Sequence, residues 1–128
     1  MLPPAVPQER VTIGEMEENM AITVNIYYNG KDGNARKFAE EMIKRGIVDK
    51  IRAEKGNIRY DYFFPIDNPD TLLLIDSWEN QQALDVHHGT PMMQEIIALR
   101  EKYDLHMTVE RYVSAETENP ADNDFIRK

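Results

Sequence analysis

The sequence predicts an α+β fold, with a four-stranded antiparallel sheet covered on one face by helices. Three observations lead there. Four segments show the two-residue alternation or aromatic enrichment of strands. Two segments carry apolar residues at helical spacing. The order along the 128-residue chain is strand, helix, strand, strand, helix, strand. That order is the split βαβ, ferredoxin-like βαββαβ arrangement.

Each element has its own signal. In Ile22–Tyr28, Ile22, Val24, Ile26 and Tyr28 alternate with Thr23, Asn25 and Tyr27. Asn29 to Gly33 is a turn. A helix is expected from Asn34, a good N-cap residue. Its apolar stripe runs Ala35, Phe38, Ala39, Met42, Ile43, Ile47 and Ile51, with a bend at Gly46. Lys55-Gly56 closes it with a cation followed by glycine. Asn57–Pro65 reads as an aromatic strand, with Ile58, Tyr60, Tyr62 and Phe64 on one face. Thr71–Trp78 is rich in leucine and isoleucine, as a central strand would be. The short link between these two strands makes them a hairpin. Glu79–Val86 reads as a short helix broken at His87-His88-Gly89. Thr90-Pro91 has the cap and first-position chemistry of a new helix. Met92, Met93, Ile96, Ile97, Leu99 and Tyr103 form that helix's stripe, and His106–Val113 is the last strand.

Residues 20–113 therefore form the expected domain. Residues 1–19, with Pro3, Pro4 and Pro7, are expected to be an arm. Its short apolar piece at Val11, Ile13 and Met16 is suited to docking. Residues 114–128 are polar and read as a tail. The sheet face away from the helices is expected to carry Asn25, Tyr27, Leu72, Leu74 and Trp78. That much apolar surface calls for a second copy packed sheet to sheet.

Composition narrows the function classes. The absence of cysteine removes disulfides, thiolate metal sites and cysteine nucleophiles. A net charge of −8 argues against nucleic acid and anionic membrane surfaces as partners. No apolar run approaches the roughly 20 residues that span a bilayer. The opening MLPPAVPQER lacks the charged-then-apolar layout of a secretory signal, so a cytoplasmic location is expected.

Chemistry concentrates between Asp76 and Arg100, which hold the only tryptophan and two of the three histidines. At Asp76-Ser77-Trp78-Glu79-Asn80, then Ala83-Leu84, His87 and Thr90-Pro91, the chain resembles the antibiotic biosynthesis monooxygenase family. Arg52 to Tyr60 is similar to the family's Glu-Pro-Gly-x-x-x-Tyr segment, with Lys55 in place of proline. The resemblance spans about residues 20–113. It implies a dimeric α+β barrel and oxygenation of a small aromatic or quinol-like substrate by O2 without a cofactor. Two departures stand out. Met92 occupies a position that is often histidine. The tryptophan position of the family's haem-degrading branch falls at His87, so its haem site does not carry over.

His87 is the expected catalytic base, because an unperturbed histidine titrates at about pH 6.5 and can take a proton from a phenol. A structural role competes with this, His87 capping the short helix. Asn25, Tyr60, Trp78 and His88 are the expected substrate-binding residues. Trp78 serves equally as a packing anchor. His87-His88, even with Asp85 and His106, lacks metal-ligand spacing, and no metal is expected. The alternative function is a dimeric small-ligand-binding or stress-response module without catalysis.

Overall fold

The computed structural model describes residues 19–115 and 119–128. Apart from Asn19, the expected arm and its Val11–Met16 piece lie outside these residues, as do 116–118 of the tail. Strands β1 (Ile22–Asn29), β2 (Asn57–Phe63), β3 (Thr71–Trp78) and β4 (His106–Val113) form one antiparallel sheet in the order β2-β3-β1-β4. Helices α1 (Asn34–Lys44), α2 (Ile47–Arg52), α3 (Gln81–His88) and α4 (Met92–Lys102) complete the βαββαβ order. The fold is ferredoxin-like. A 3-10 helix, Pro120–Phe125, stands in the tail.

Register decides which side chains meet the helices. Ile22 pairs with Trp78, Val24 with Asp76, Ile26 with Leu74 and Tyr28 with Leu72. Directly opposed residues share a face, so these eight line the covered side. Phe38, Met42, Ile47, Ile51, Ile96 and Leu99 close the core over them. The expectation that Leu72, Leu74 and Trp78 face away from the helices is therefore corrected. The open face instead carries Leu73, Ile75, Phe63 and Tyr112 beside Asn25 and Tyr27. The expected pattern failed because Leu72–Ile75 is an unbroken apolar run, so alternation there did not fix the phase of β3.

Several boundaries differ from expectation for local reasons. Gly46, with φ 73°, does not bend one helix but separates α1 from α2. Asn34 begins α1 without capping it; its Nδ2 donates to the Tyr103 carbonyl at 3.2 Å. Helix α3 starts two residues later than expected, because Asn80 Oδ1 accepts from Ala83 N at 2.9 Å. Its last turn includes His87 and His88. Thr90 does not cap α4; its Oγ1 donates to the His87 carbonyl at 2.8 Å. A bulge between Asn57 and Arg59 in β2 leaves Ile58 56 % exposed rather than aligned with Tyr60.

Two contacts fix the helices. Glu41 on α1 accepts from Lys102 Nζ at 2.7 Å and from Tyr103 Oη at 2.5 Å, and pairs with Arg45. These donors draw its carboxyl down to about 2. On the other side, the α2–β2 turn is pressed against α3. Gly56 has φ +87°, and a Cβ built there would lie 2.6 Å from Ala83 Cβ.

Gly56→Ala should therefore destabilise the protein by about 3 kcal/mol, from left-handed strain together with overpacking. Urea unfolding measures this. A midpoint unchanged from wild type contradicts the contact.

Candidate active site

Alternation in β3 places Asp76 and Trp78 on the covered face in line with Leu72 and Leu74. An indole N–H buried this deeply needs an acceptor. Trp78 Nε1 donates to Asp76 Oδ1 at 2.7 Å. The last turn of α3 brings His87 over the indole, with ring centroids 4.8 Å apart and planes at 29°. His87 Nδ1 lies 2.6 Å from Glu54 Oε2, which reaches in from the α2–β2 turn. Exposure is 0 % for Trp78, 3 % for His87, 5 % for Asp76 and 2 % for Tyr60.

A phenol cluster continues the site. Tyr60 of β2 stands opposite Asp76 and meets the Tyr62 ring edge-on at 5.8 Å. Arg100 of α4 donates through Nε to the Tyr28 hydroxyl at 3.1 Å. The Tyr62 hydroxyl is sealed from solvent without a well-formed hydrogen bond among the described residues. It stays close enough to Tyr60 for the two phenols to influence each other's ionisation.

Burial sets the protonation states. It lifts the Asp76 carboxyl from 3.8 to about 7, and the charge of Glu54 adds to the rise; the Trp78 hydrogen bond and Arg100 oppose it. Burial holds the phenols of Tyr28, Tyr60 and Tyr62 above their ordinary value, Tyr60 well above. They are therefore hydrogen-bond donors at neutral pH. His88 is lowered by its partial burial and then by His87; Asp85 opposes this. The site thus offers one carboxyl, Asp76, that exchanges its proton near neutrality beside fixed phenolic donors, a combination suited to moving a proton to or from a hydroxylated ring.

Of the sequence-predicted residues, the fold brings His87, Trp78 and Tyr60 together. His88 is adjacent, its ring 5.7 Å from that of His87. Asn25 lies on the opposite face of the sheet, its Oδ1 sealed and without a hydrogen-bond partner among the described residues. His106 does not join the pair; it faces Asp104 at 3.3 Å on the surface. Among the described residues, no group of three or more His, Asp or Glu is placed to hold a metal ion. Sequence reasoning gave no site role to Glu54, Asp76, Tyr28 or Arg100. For Asp76 a signal existed, since an acid in phase with Leu72, Leu74 and Trp78 is an acid on a core face. Glu54 stood in the segment similar to the family's Glu-Pro-Gly-x-x-x-Tyr pattern, but nothing local paired it with His87, 33 positions away.

Fold and site together define a small ferredoxin-like α+β protein with a polar group enclosed between sheet and helices. The family model described as antibiotic biosynthesis monooxygenase matches residues 21–99. The chain belongs to that family. YcnE of Bacillus subtilis (strain 168), a monooxygenase candidate by its name, is 27 % identical over 77 residues, covering 60 % of this chain and 79 % of YcnE. Among solved structures, a candidate antibiotic biosynthesis monooxygenase from Caulobacter crescentus CB15 superposes with a TM-score of 0.67 at 16 % identity, covering 79 % of this chain and 95 % of that one. SnoaB of Streptomyces nogalater, a cofactor-independent oxygenase, gives 0.63 at 14 % identity, with coverages of 79 % and 98 %. At these identities the structures speak for the fold.

The raised Asp76 carboxyl has a pH signature. Between its ordinary value of 3.8 and about 7 the folded chain holds a proton that the unfolded chain has released. This group therefore makes the fold more stable as pH falls through that window, and Asp76→Asn should remove that part of the slope. Trp78, the only tryptophan, should report it directly. Its emission is expected to titrate near pH 7 in the wild type and to lose that transition in Asp76→Asn. Identical titrations in both proteins contradict the assignment.

Proposed function

We propose that this protein is a cofactor-independent monooxygenase acting on a small aromatic, quinol-like substrate with O2. The observation that carries the reading is the enclosed His87 ring, stacked on Trp78 with one nitrogen held by Glu54. His87 takes a hydroxyl proton from the substrate. The resulting electron-rich anion reduces O2 itself, one oxygen atom entering the ring carbon and the other leaving as water. The protein supplies a base, orientation and a dry enclosure. Tyr60 and Trp78 shape the pocket and His88 flanks it. Asn25, across the sheet, is left out of this reading. Family membership and the oxygenase names of YcnE and SnoaB support it. The domain is residues 20–113, with 1–19 as arm and 114–128 as tail.

The rival reading is a non-catalytic small-ligand-binding module. The near-complete burial of His87, Tyr60 and Trp78 favours it, because a catalytic base must meet its substrate. Oxygen uptake with a panel of hydroquinones and anthrones separates the two. Uptake is expected from the wild type, with a loss of about 10²–10⁴-fold in His87→Ala. Equal uptake by the variant removes His87 from the mechanism. No uptake with any substrate leaves the binding module.

The working form is a homodimer in which a second copy covers the open sheet face. Half-buried Leu73 and Ile75, exposed Phe63 and Tyr112, and the unpartnered Asn25 Oδ1 support this. Light scattering at micromolar concentration should give twice the 14.9 kDa chain mass. Ile75→Asp should shift it to the monomer, and a monomeric wild type rejects the proposal.

A further inference from the structure

Glu54 sits in a turn whose backbone is fixed at several points. Its N–H donates to the Ile51 carbonyl at 3.0 Å, and its carbonyl accepts from Asn57 N at 3.1 Å. Two residues further, Gly56 packs on Ala83 of α3, the helix that carries His87, and the Gly56 carbonyl accepts from Glu79 N at 2.8 Å. The side-chain oxygen 2.6 Å from His87 Nδ1 is thus held against the ring from a docked turn. His87 has little freedom of its own. Trp78 covers one face of the ring, Asp76 fixes the indole, and the His88 ring stands 5.7 Å away. Exposure is 4 % for the His87 side chain and 16 % for that of Glu54.

An ionised carboxylate accepts hydrogen bonds and donates none. A neutral imidazole has one N–H and one lone pair, and a partner at one nitrogen decides the other. We propose that Glu54 is a positioning residue that keeps the Nδ1 hydrogen on His87, leaving Nε2 as the ring's acceptor. The ligand this selects presents a hydroxyl hydrogen to Nε2, as a phenol or enol does. An ether or quinone oxygen in the same place sets lone pair against lone pair. The assignment of the ligand class rests on the oxygenase reading above; the assignment of the tautomer does not.

The tautomer is read on the full chain, labelled with 15N-histidine, by long-range 1H–15N correlation at a pH where the ring is neutral. The wild type is expected to show His87 protonated at Nδ1 and bare at Nε2. Glu54→Ala should lose that preference, and Glu54→Asp, which keeps a carboxylate, should restore part of it. If Glu54→Ala does not fold, Glu54→Gln replaces it and should weaken the preference. A wild-type ring protonated at Nε2, or an undiminished Nδ1–H preference in folded Glu54→Ala or Glu54→Gln, overturns the proposal. The ligand class is tested with hydroquinone and its dimethyl ether, using Trp78 fluorescence and the His87 Nε2 signal. Hydroquinone should shift that signal and bind at least about tenfold tighter, the scale of one hydrogen bond to a poised group. Equal binding, or none by either, rejects the hydroxyl requirement. An Nδ1–H ring together with no oxygen uptake rejects the oxygenase and leaves Glu54 its role.

Discussion

Trp78 is the side chain on which the rest of this architecture depends. It ends β3 opposite Ile22 on one side and Asn57 on the other, so two strand pairings close at the same residue. With 0 % of its surface exposed, it must bury both a large ring and an N–H. The N–H is answered two residues back on the same strand by Asp76, and the ring face by His87 of α3. One side chain therefore sets the docking of a short helix and the environment of a buried carboxyl. Helix α3, eight residues long, is too short to be stable alone. Its place comes from this stack and from the Gly56–Ala83 contact.

Enclosing polar groups costs free energy unless each is matched. Most of the site meets this condition: Glu54 answers His87, Arg100 answers Tyr28, and Trp78 answers Asp76. Among the described residues two buried side-chain atoms do not, the Tyr62 hydroxyl on the covered face and Asn25 Oδ1 on the open one. They fall where the two proposed occupants belong, a ligand on one side of the sheet and a second copy on the other. Asp76 makes no close ion pair among the described residues, and its pKa near 7 expresses that. At the surface, the opposite regime holds for Glu41. Three donors keep it ionised, and it binds α1 to the end of α4.

The fold was legible because its signals are periodic and local. Strands β3 and β4 were read to their ends, and the βαββαβ order followed from spacing alone. The helix caps were less legible: Asn34 spends its side chain on a distant partner, the Tyr103 carbonyl, and Thr90 turns back to the end of the preceding helix at His87. The site was half legible. His87, Trp78 and Tyr60 were found through residue type and family resemblance. Glu54 and Arg100 were not, because contact between distant segments is a property of packing. The face assignment of Leu72, Leu74 and Trp78 failed where hydrophobicity is continuous and carries no phase. Asp76 was the residue that could have supplied it.

The bulge in β2 has a consequence for how such a site is composed. Asn57 pairs with Trp78, yet Arg59 pairs with Ser77 and Tyr60 with Asp76. In an uninterrupted ladder Ile58 would oppose Ser77, and Tyr60 would point to the open face. The one supernumerary residue acts as a phase shifter. It turns the strand's aromatic series inward, giving the site Tyr60 and Tyr62, and expels a single isoleucine. The chemistry of the enclosure is thus set by a residue count as much as by residue identity. Deleting Ile58 while the hairpin holds its register would join the Asn57–Trp78 and Arg59–Ser77 pairs into one continuous ladder, with the tyrosines still facing inward. The interior is tied to the β2–β3 hairpin, and the bulge absorbs the mismatch at the end nearest Glu54.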